Sequence, residues 1–183
     1  MVAIIPARGG SKRLKKKNIY PVWGQPMITW SIKAAKESKL ISEVWVSTED
    51  PEIASIAVRC GAHLHRRDPE LAKDSIFKME AIRSAVGYLE DNDLEANIYV
   101  SLQANSPEIT GEILDNAIRC FIENSRNELI SVSPNLMQNA VFRILDRKYV
   151  HQKDLSTKCG VFVCDVHDVH TIEDVKFIEE RNR

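Results

Sequence analysis

The ten residues from Arg8 to Lys17 (RGGSKRLKKK) hold six basic side chains, two glycines and a serine. The whole chain has a formal net charge of −1, so this positive charge is a local feature. Arginine presents a planar fork of donors and lysine a point charge, and both neutralise a polyphosphate. Gly9 and Gly10 allow close backbone approach and can aim amide N–H groups at an anion, and Ser11 adds a hydroxyl donor. Arg8, Ser11, Lys12 and Lys17 are expected to face inward, and Arg13, Lys15 and Lys16 to face solvent. Neither GxxxxGK[ST] nor GxGxxG is present, so the two common nucleotide fingerprints are absent. The plainer reading is a solvated loop whose lysines only aid solubility. The apolar run before it and the paired glycines weigh against that.

Other reactive residue types are sparse. Cys60, Cys120, Cys159 and Cys164 form no CxxC pair, so they read as buried or incidental thiols in a reducing compartment. His63, His65, His151 and His167 read as structural or surface side chains. Asp168, just beyond the last strand pattern, is the best candidate for a magnesium ligand, since that ion takes hard oxygen donors.

The elements that must position these residues alternate. Val2–Ala7 is an apolar run of buried-strand length. Pro26 opens an amphipathic helix reaching about Ser38, with Ile28, Ile32 and Ala35 on one face. Glu43–Thr48 reads as a strand, and Asp50-Pro51 caps a helix over 52–60 that Gly61 ends. Ala62–Arg66 is a shorter strand. Asp74 or Ser75 is expected to cap a long helix to about Glu90. Asn97–Gln103 and Leu129–Pro134 read as strands, with a helix from Thr110 to Asn124 between them. The stretch FRILDRKYV suits a strand pair or a hairpin arm. Gly160–Val166 reads as a strand, and Thr171 with Asp174 makes a loose capping pattern for a last helix.

This rhythm predicts one α/β domain over residues 1–183, with a mainly parallel sheet covered on both faces. Ligands of such sheets sit at the carboxyl ends of the strands. The basic loop and the QANSP segment (Gln103–Pro107) both lie on that edge. Hydrophobic residues make up 44% of the chain and charged ones 28%, an ordinary globular balance. The absence of a broadly basic surface argues against nucleic-acid binding. No stretch approaches the ~18–20 apolar residues of a membrane span, and VAIIPA is too short for a signal peptide. A cytoplasmic location is expected.

The ordered string IIPARGGSKRLKKKNIYPVWGQPMITWSI resembles the opening of the acylneuraminate cytidylyltransferases, the CMP-sialic acid synthetase family. The likeness continues in VSTED (Val46–Asp50), RDPELAKD (Arg67–Asp74), SLQANSP (Ser101–Pro107), SVSP (Ser131–Pro134) and DVHTIEDV (Asp168–Val175). The resemblance implies a three-layer Rossmann-like fold of the nucleotide-diphospho-sugar transferase kind. It also implies a reaction in which a hydroxyl of an acidic sugar attacks the α-phosphate of CTP, with Mg²⁺, releasing pyrophosphate. Arg8, Gly9, Gly10, Ser11, Lys12 and Lys17 match the family's phosphate loop, with Arg8 and Lys17 in the catalytic role. Asn18 matches a residue beside the nucleotide. Arg67 matches the arginine associated with cytosine, and Ala72 and Asp74 belong to the same stretch. Gln103, Asn105 and Ser106 match the segment lining the nucleotide and sugar site. The family is often dimeric, so a homodimer is a candidate assembly.

Three departures qualify this. The family's closing D-x-D-T appears as Asp168-Val169-His170-Thr171, so the implied metal pair becomes Asp168 with His170. Histidine is a softer, neutral ligand, and His170 could instead serve as a base, a sugar contact or a rim residue. The Q-P-T-S-P-L-R form becomes QANSPEI, which sets Ile109 where the family has an arginine. Third, the chain is shorter than family members between SVSP and the last helix, where they carry a subunit-pairing arm. A remnant of a Q-D-L segment persists there at Gln152–Leu155, before Gly160. The readings left open are a Kdo-type or other sugar nucleotidylyltransferase, and a non-catalytic nucleotide-binding paralogue lacking the sugar site.

Overall fold

In chain order the first elements are β1 (Val2–Pro6), β2 (Pro21–Val22), β3 (Gln25–Pro26), α1 (Met27–Glu37), β4 (Glu43–Thr48), α2 (Pro51–Arg59) and β5 (His63–Arg66). Next come α3 (Lys78–Asp91), β6 (Ile98–Leu102), α4 (Gly111–Glu123), β7 (Glu128–Val132) and β8 (Gln138–Asp146). The chain closes with α5 (Arg147–Val150), β9 (Cys159–Val163) and α6 (Ile172–Arg181). This is a computed structural model, and it describes residues 1–154 and 156–182.

Seven strands form one sheet in the order β5-β4-β1-β6-β8-β7-β9. Only β8 runs antiparallel to its neighbours, so the sheet is mainly parallel, as expected. Alternating side chains bury both faces. Ala3, Ile5, Val46 and Val100 pack with Ile28 and Ile32 of α1, Ile53 of α2 and Leu114 of α4. On the other face Val2, Ile4, Tyr99 and Leu145 meet Ile82, Val86 and Leu89 of α3 and Val150 of α5. The three layers follow from this two-sided burial.

From β1 the chain steps outward through β4 to β5, then returns through α3 to β6 on β1's other side. The direction of winding therefore reverses between β1 and β6, and a crevice opens at their carboxyl ends. A third cluster closes one side of it. Leu14 of the basic loop is buried with Val22, Met27, Val169, Val175 and Ile178. Burying a leucine contributes about 1.5–3 kcal/mol, enough to offset the backbone entropy cost of ordering about one or two of the loop's residues.

Local signals set most boundaries. The Asp50 carboxylate accepts from Glu52 N–H (2.8 Å) and Ile53 N–H (2.9 Å), with Pro51 in the first turn of α2. Such a cap stabilises by about 1 kcal/mol. Thr171 and Asp174 form a full capping box on α6.

Three expectations are corrected. Helix α3 begins at Lys78, with Phe77 at its N-cap, because the Asp74 carboxylate is taken by Arg8 and Lys12. FRILDRKYV is a hairpin arm only in its first part: Phe142–Asp146 ends β8, which pairs antiparallel with β7, and the rest forms the short α5, where Asp146 caps Lys148 N–H (3.0 Å). The last strand spans Cys159–Val163 and is only half covered, not a buried run to Val166. Leu155, which ends the Gln152–Leu155 remnant, lies outside the described residues.

Candidate functional site

A cavity of ≈ 510 Å³ occupies the crevice at the carboxyl ends of β1 and β6. Its wall contains Arg8, Ser11, Lys12, Lys17, Asn18, Arg67, Ala72, Asp74, Gln103, Asn105 and His170, all singled out from the sequence. Gly9 and Gly10 line an adjoining groove, while Ser106 and Asp168 are not part of the cavity wall.

The loop after β1 is held by its own side chains. Asn18 Nδ2 donates to the Arg8 carbonyl (2.9 Å), so this buried residue fixes the loop's path. The Gly9 N–H donates to Glu49 Oε1 (2.8 Å), and the Ser11 N–H to the Gly9 carbonyl (3.1 Å). A Cβ on Gly9 would collide with the Asp50 carboxylate. The expected cradle of inward amides is therefore corrected: Gly9 is required by its contact with the end of β4, and its amide is already bonded.

The cations have internal partners. Arg8 Nη2 pairs with Asp74 Oδ1 (2.7 Å), and Nη1 donates to the Ala72 carbonyl (3.0 Å). Lys12, whose side chain is 82% exposed, pairs with the other Asp74 oxygen. The hydrogen bonds from Lys12 and Arg8 hold the Asp74 carboxyl below its ordinary range. Lys16 points away, to Glu52 (2.5 Å), as expected of an outward residue. Arg13 is exposed too, yet its Nη2 lies 3.1 Å from His170 Nδ1 at the cavity wall. Lys17, in a 3-10 turn (Lys17–Ile19), has its pKa lowered to about 8 by burial and then by Arg13. It still carries its charge at neutral pH.

Arg67 is 6% exposed and fixed in place. Its Nη2 pairs with Glu49 Oε2 (2.5 Å) and its backbone N–H donates to Thr48 (3.1 Å). Glu49 thereby ties Arg67 to the basic loop through Gly9. The Arg67 Nε–H is buried without a partner in a residue that faces the cavity. An unpaired buried donor costs about 1–3 kcal/mol, and the Arg67–Glu49 ion pair holds the side chain in place despite it.

Gln103 bonds to neighbours through its backbone, and its side chain lies at the cavity. Asn105 and Val169 exchange hydrogen bonds (both 2.9 Å), fastening the 168–170 segment to the end of β6. Ser106 is fully buried, and its hydroxyl donates to Asp168. Ser106 thus supports Asp168 from behind and does not contact the cavity. Burial raises the Asp168 pKa to about 6, against the pull of the Ser106 bond, Lys78 and Lys17.

The Asp168–His170 pair fits a metal only in part. An arginine can only donate, so His170 Nδ1 is the acceptor toward Arg13 and Nε2 carries the proton. That tautomer offers no lone pair at Nε2, and burial with Lys17 and Arg13 nearby keeps the ring's pKa low. Asp174 is engaged by His167 (2.8 Å) and the α6 cap. Among the described residues no group of three or more His, Cys, Asp or Glu side chains is gathered for a metal. Asp168 alone fits, as the single carboxylate of a magnesium ion held mainly by a ligand's phosphates and water.

Sequence reasoning missed Glu49, Arg13 and Lys78. Glu49 lies in the VSTED run just past the carboxyl end of β4, which was a usable signal. Lys78 lies four residues past the RDPELAKD stretch, and nothing in its spacing told which way it points.

Residues 2–172 match the family model described as Cytidylyltransferase. The chain belongs to that family. It is 36% identical over 130 residues to N-acylneuraminate cytidylyltransferase A of Danio rerio, covering 71% of this chain and 29% of that protein. It is 34% identical over 133 residues to the pseudaminic acid cytidylyltransferase of Campylobacter jejuni, covering 72% of this chain and 57% of that one. The chain thus spans less than two thirds of the length of these curated relatives. The solved structure of CMP:2-keto-3-deoxy-manno-octonic acid synthetase complexed with CTP shares the fold. Its TM-score is 0.78 at 16% identity, over 98% of this chain and 97% of that one. The cytidylyltransferase resemblance read from the motifs is borne out, and so is the three-layer α/β fold.

Proposed function

We propose that this cytidylyltransferase-family chain activates an acidic nonulosonic sugar with CTP, giving a CMP-sugar and pyrophosphate. The observation that carries the reading is one cavity joining a cationic loop to a rigid, ion-paired arginine. Arg67 would donate to the cytosine carbonyl. Arg8, Ser11, Lys12 and Lys17 would take the triphosphate, which displaces Asp74 from Arg8 and Lys12. Arg13, held by a neutral histidine, keeps its full charge for the same phosphates.

The sugar hydroxyl oxygen bonds to the α-phosphorus, and the bond to the bridging oxygen of the β-phosphate breaks. Pyrophosphate leaves, and the hydroxyl proton passes to solvent. Lys17 and Arg8 stabilise charge on the α-phosphate oxygens and the leaving group, the usual source of catalysis in such transfers. Asp168, with the phosphates, would hold a magnesium ion that supplies further neutralisation of that charge.

We place the protein in the cytoplasm, in keeping with four free cysteines. No helix among the described residues is long and apolar enough to cross a membrane. A homodimer is the assembly to test for, since β9 is a sheet edge with Val161 and Val163 exposed. Pyrophosphate release with CTP, Mg²⁺ and a panel of nonulosonic acids and Kdo tests the activity. Turnover with one of these sugars, lost in Lys17→Ala, is expected. CTP binding with no turnover on any sugar would instead support a nucleotide-binding protein without the sugar site.

A further inference from the structure

We infer that Lys78 is the counter-ion for the carboxylate of the acidic sugar, an inference that rests on the cytidylyltransferase reading above. Seven lysine and arginine side chains stand on the cavity wall. Five have partners: Arg8 and Lys12 on Asp74, Arg13 on His170, Arg67 on Glu49 and Lys73 on Glu70. Among the described residues, Lys17 and Lys78 have no ion-pair partner. Lys17 belongs to the phosphate loop, where Arg8 and Arg13 act on its charge.

Lys78 comes from elsewhere, the first turn of α3. The charges that act on it are Asp168 and Arg143, not those of the loop. Lys78 therefore reaches the cavity wall from α3, an element separate from the phosphate loop after β1. Arg143, on β8 opposite Ser101, is already neutralised by buried Glu128 (2.5 Å). Ile109, where the family motif has an arginine, is 4% exposed within the main core and cannot reach the cavity.

The chemistry demands a cation at this place. In a 2-keto sugar acid the carboxylate is attached to the carbon that bears the reacting hydroxyl. During attack it therefore sits beside the α-phosphate, and the two anions repel unless a positive charge lies near both. A lysine without an ion-pair partner on the cavity wall, outside the phosphate loop, meets that need.

Isothermal titration of the wild type, Lys78→Met and Lys78→Arg tests this with three probes: CTP, CMP and CMP-N-acetylneuraminate. Lys78 opens to solvent at a helix start, and thermal melts of the variants confirm folding. The inference expects wild type to bind CMP-N-acetylneuraminate more tightly than CMP. Lys78→Met should then lose that advantage by tenfold or more while CTP affinity changes less than about threefold, and Lys78→Arg should restore most of it. An equal loss for CTP would assign Lys78 to the triphosphate and overturn the inference. So would no loss for any probe, or a wild type that binds the CMP-sugar no better than CMP. In these three cases CTP binding still upholds the nucleotide site. Failure of the wild type to bind CTP at all would bring down the underlying reading as well.

Discussion

The two ends of the sheet treat charge differently. Around β1 and β4, every acidic group near the cavity is matched: Glu49 with Arg67 and Gly9, Asp74 with Arg8 and Lys12. The site there is preorganised, with carboxylates standing where a triphosphate would place its charge. At the β7–β9 end Arg143 pairs with Glu128, and Val161 and Val163 lie open, 55% and 52% exposed. The hairpin tip beside them exposes Leu136 and Met137. The cavity and its matched charges thus belong to one half of the fold, while among the described residues the other half leaves Val161, Val163, Leu136 and Met137 exposed.

The largest effect should fall on the preorganised half. Arg67→Met removes one member of a buried pair and leaves Glu49 charged and enclosed, a loss of about 3–5 kcal/mol in chemical denaturation. If the protein unfolds at the wild-type midpoint, the pair does not hold the site together. Lys17→Ala should lower kcat for pyrophosphate release by about 10²–10³, the usual cost of one charge-stabilising donor. Lys17 also gives a pH test. With its pKa near 8, the ammonium is present below that value and lost above it, so CTP affinity should fall between pH 7 and 9. Lys17→Arg, charged throughout, should flatten that profile.

These predictions draw on what the sequence showed and on what it hid. The RGGSKRLKKK run, the alternation of strands and helices and the caps at Asp50 and Thr171 are local signals, and each has its expected place. Asp74 was misread as a helix cap because its competitors for hydrogen bonds, Arg8 and Lys12, lie more than 60 residues away. Gly9 looked like a phosphate glycine, but the end of β4 sets its need. Arg13 was assigned to solvent because exposure alone could not reveal a histidine 157 residues later at 3.1 Å. Side chains bonded across the crevice were the hard part, since spacing along a strand or helix carries no record of them.

Smaller effects sharpen the contrast. Asp74→Asn should tighten CTP binding by a few fold at low ionic strength, because phosphates no longer displace a carboxylate. The pair is half exposed, so the effect is small and added salt should erase it. Unchanged or weaker binding would show that Asp74 aligns the two cations. At the other end, Val161→Lys should alter the stability of a monomer by no more than about 0.5 kcal/mol. Loss of a dimer in sedimentation would show instead that a second subunit covers this face.

A crystal structure with CTP bears most directly on the central claim. The account predicts the base carbonyl on Arg67 Nε and the phosphates on Arg8, Lys12 and Lys17, with Asp74 released from both cations. A nucleotide bound elsewhere, with Arg8 and Lys12 still paired to Asp74, would contradict it.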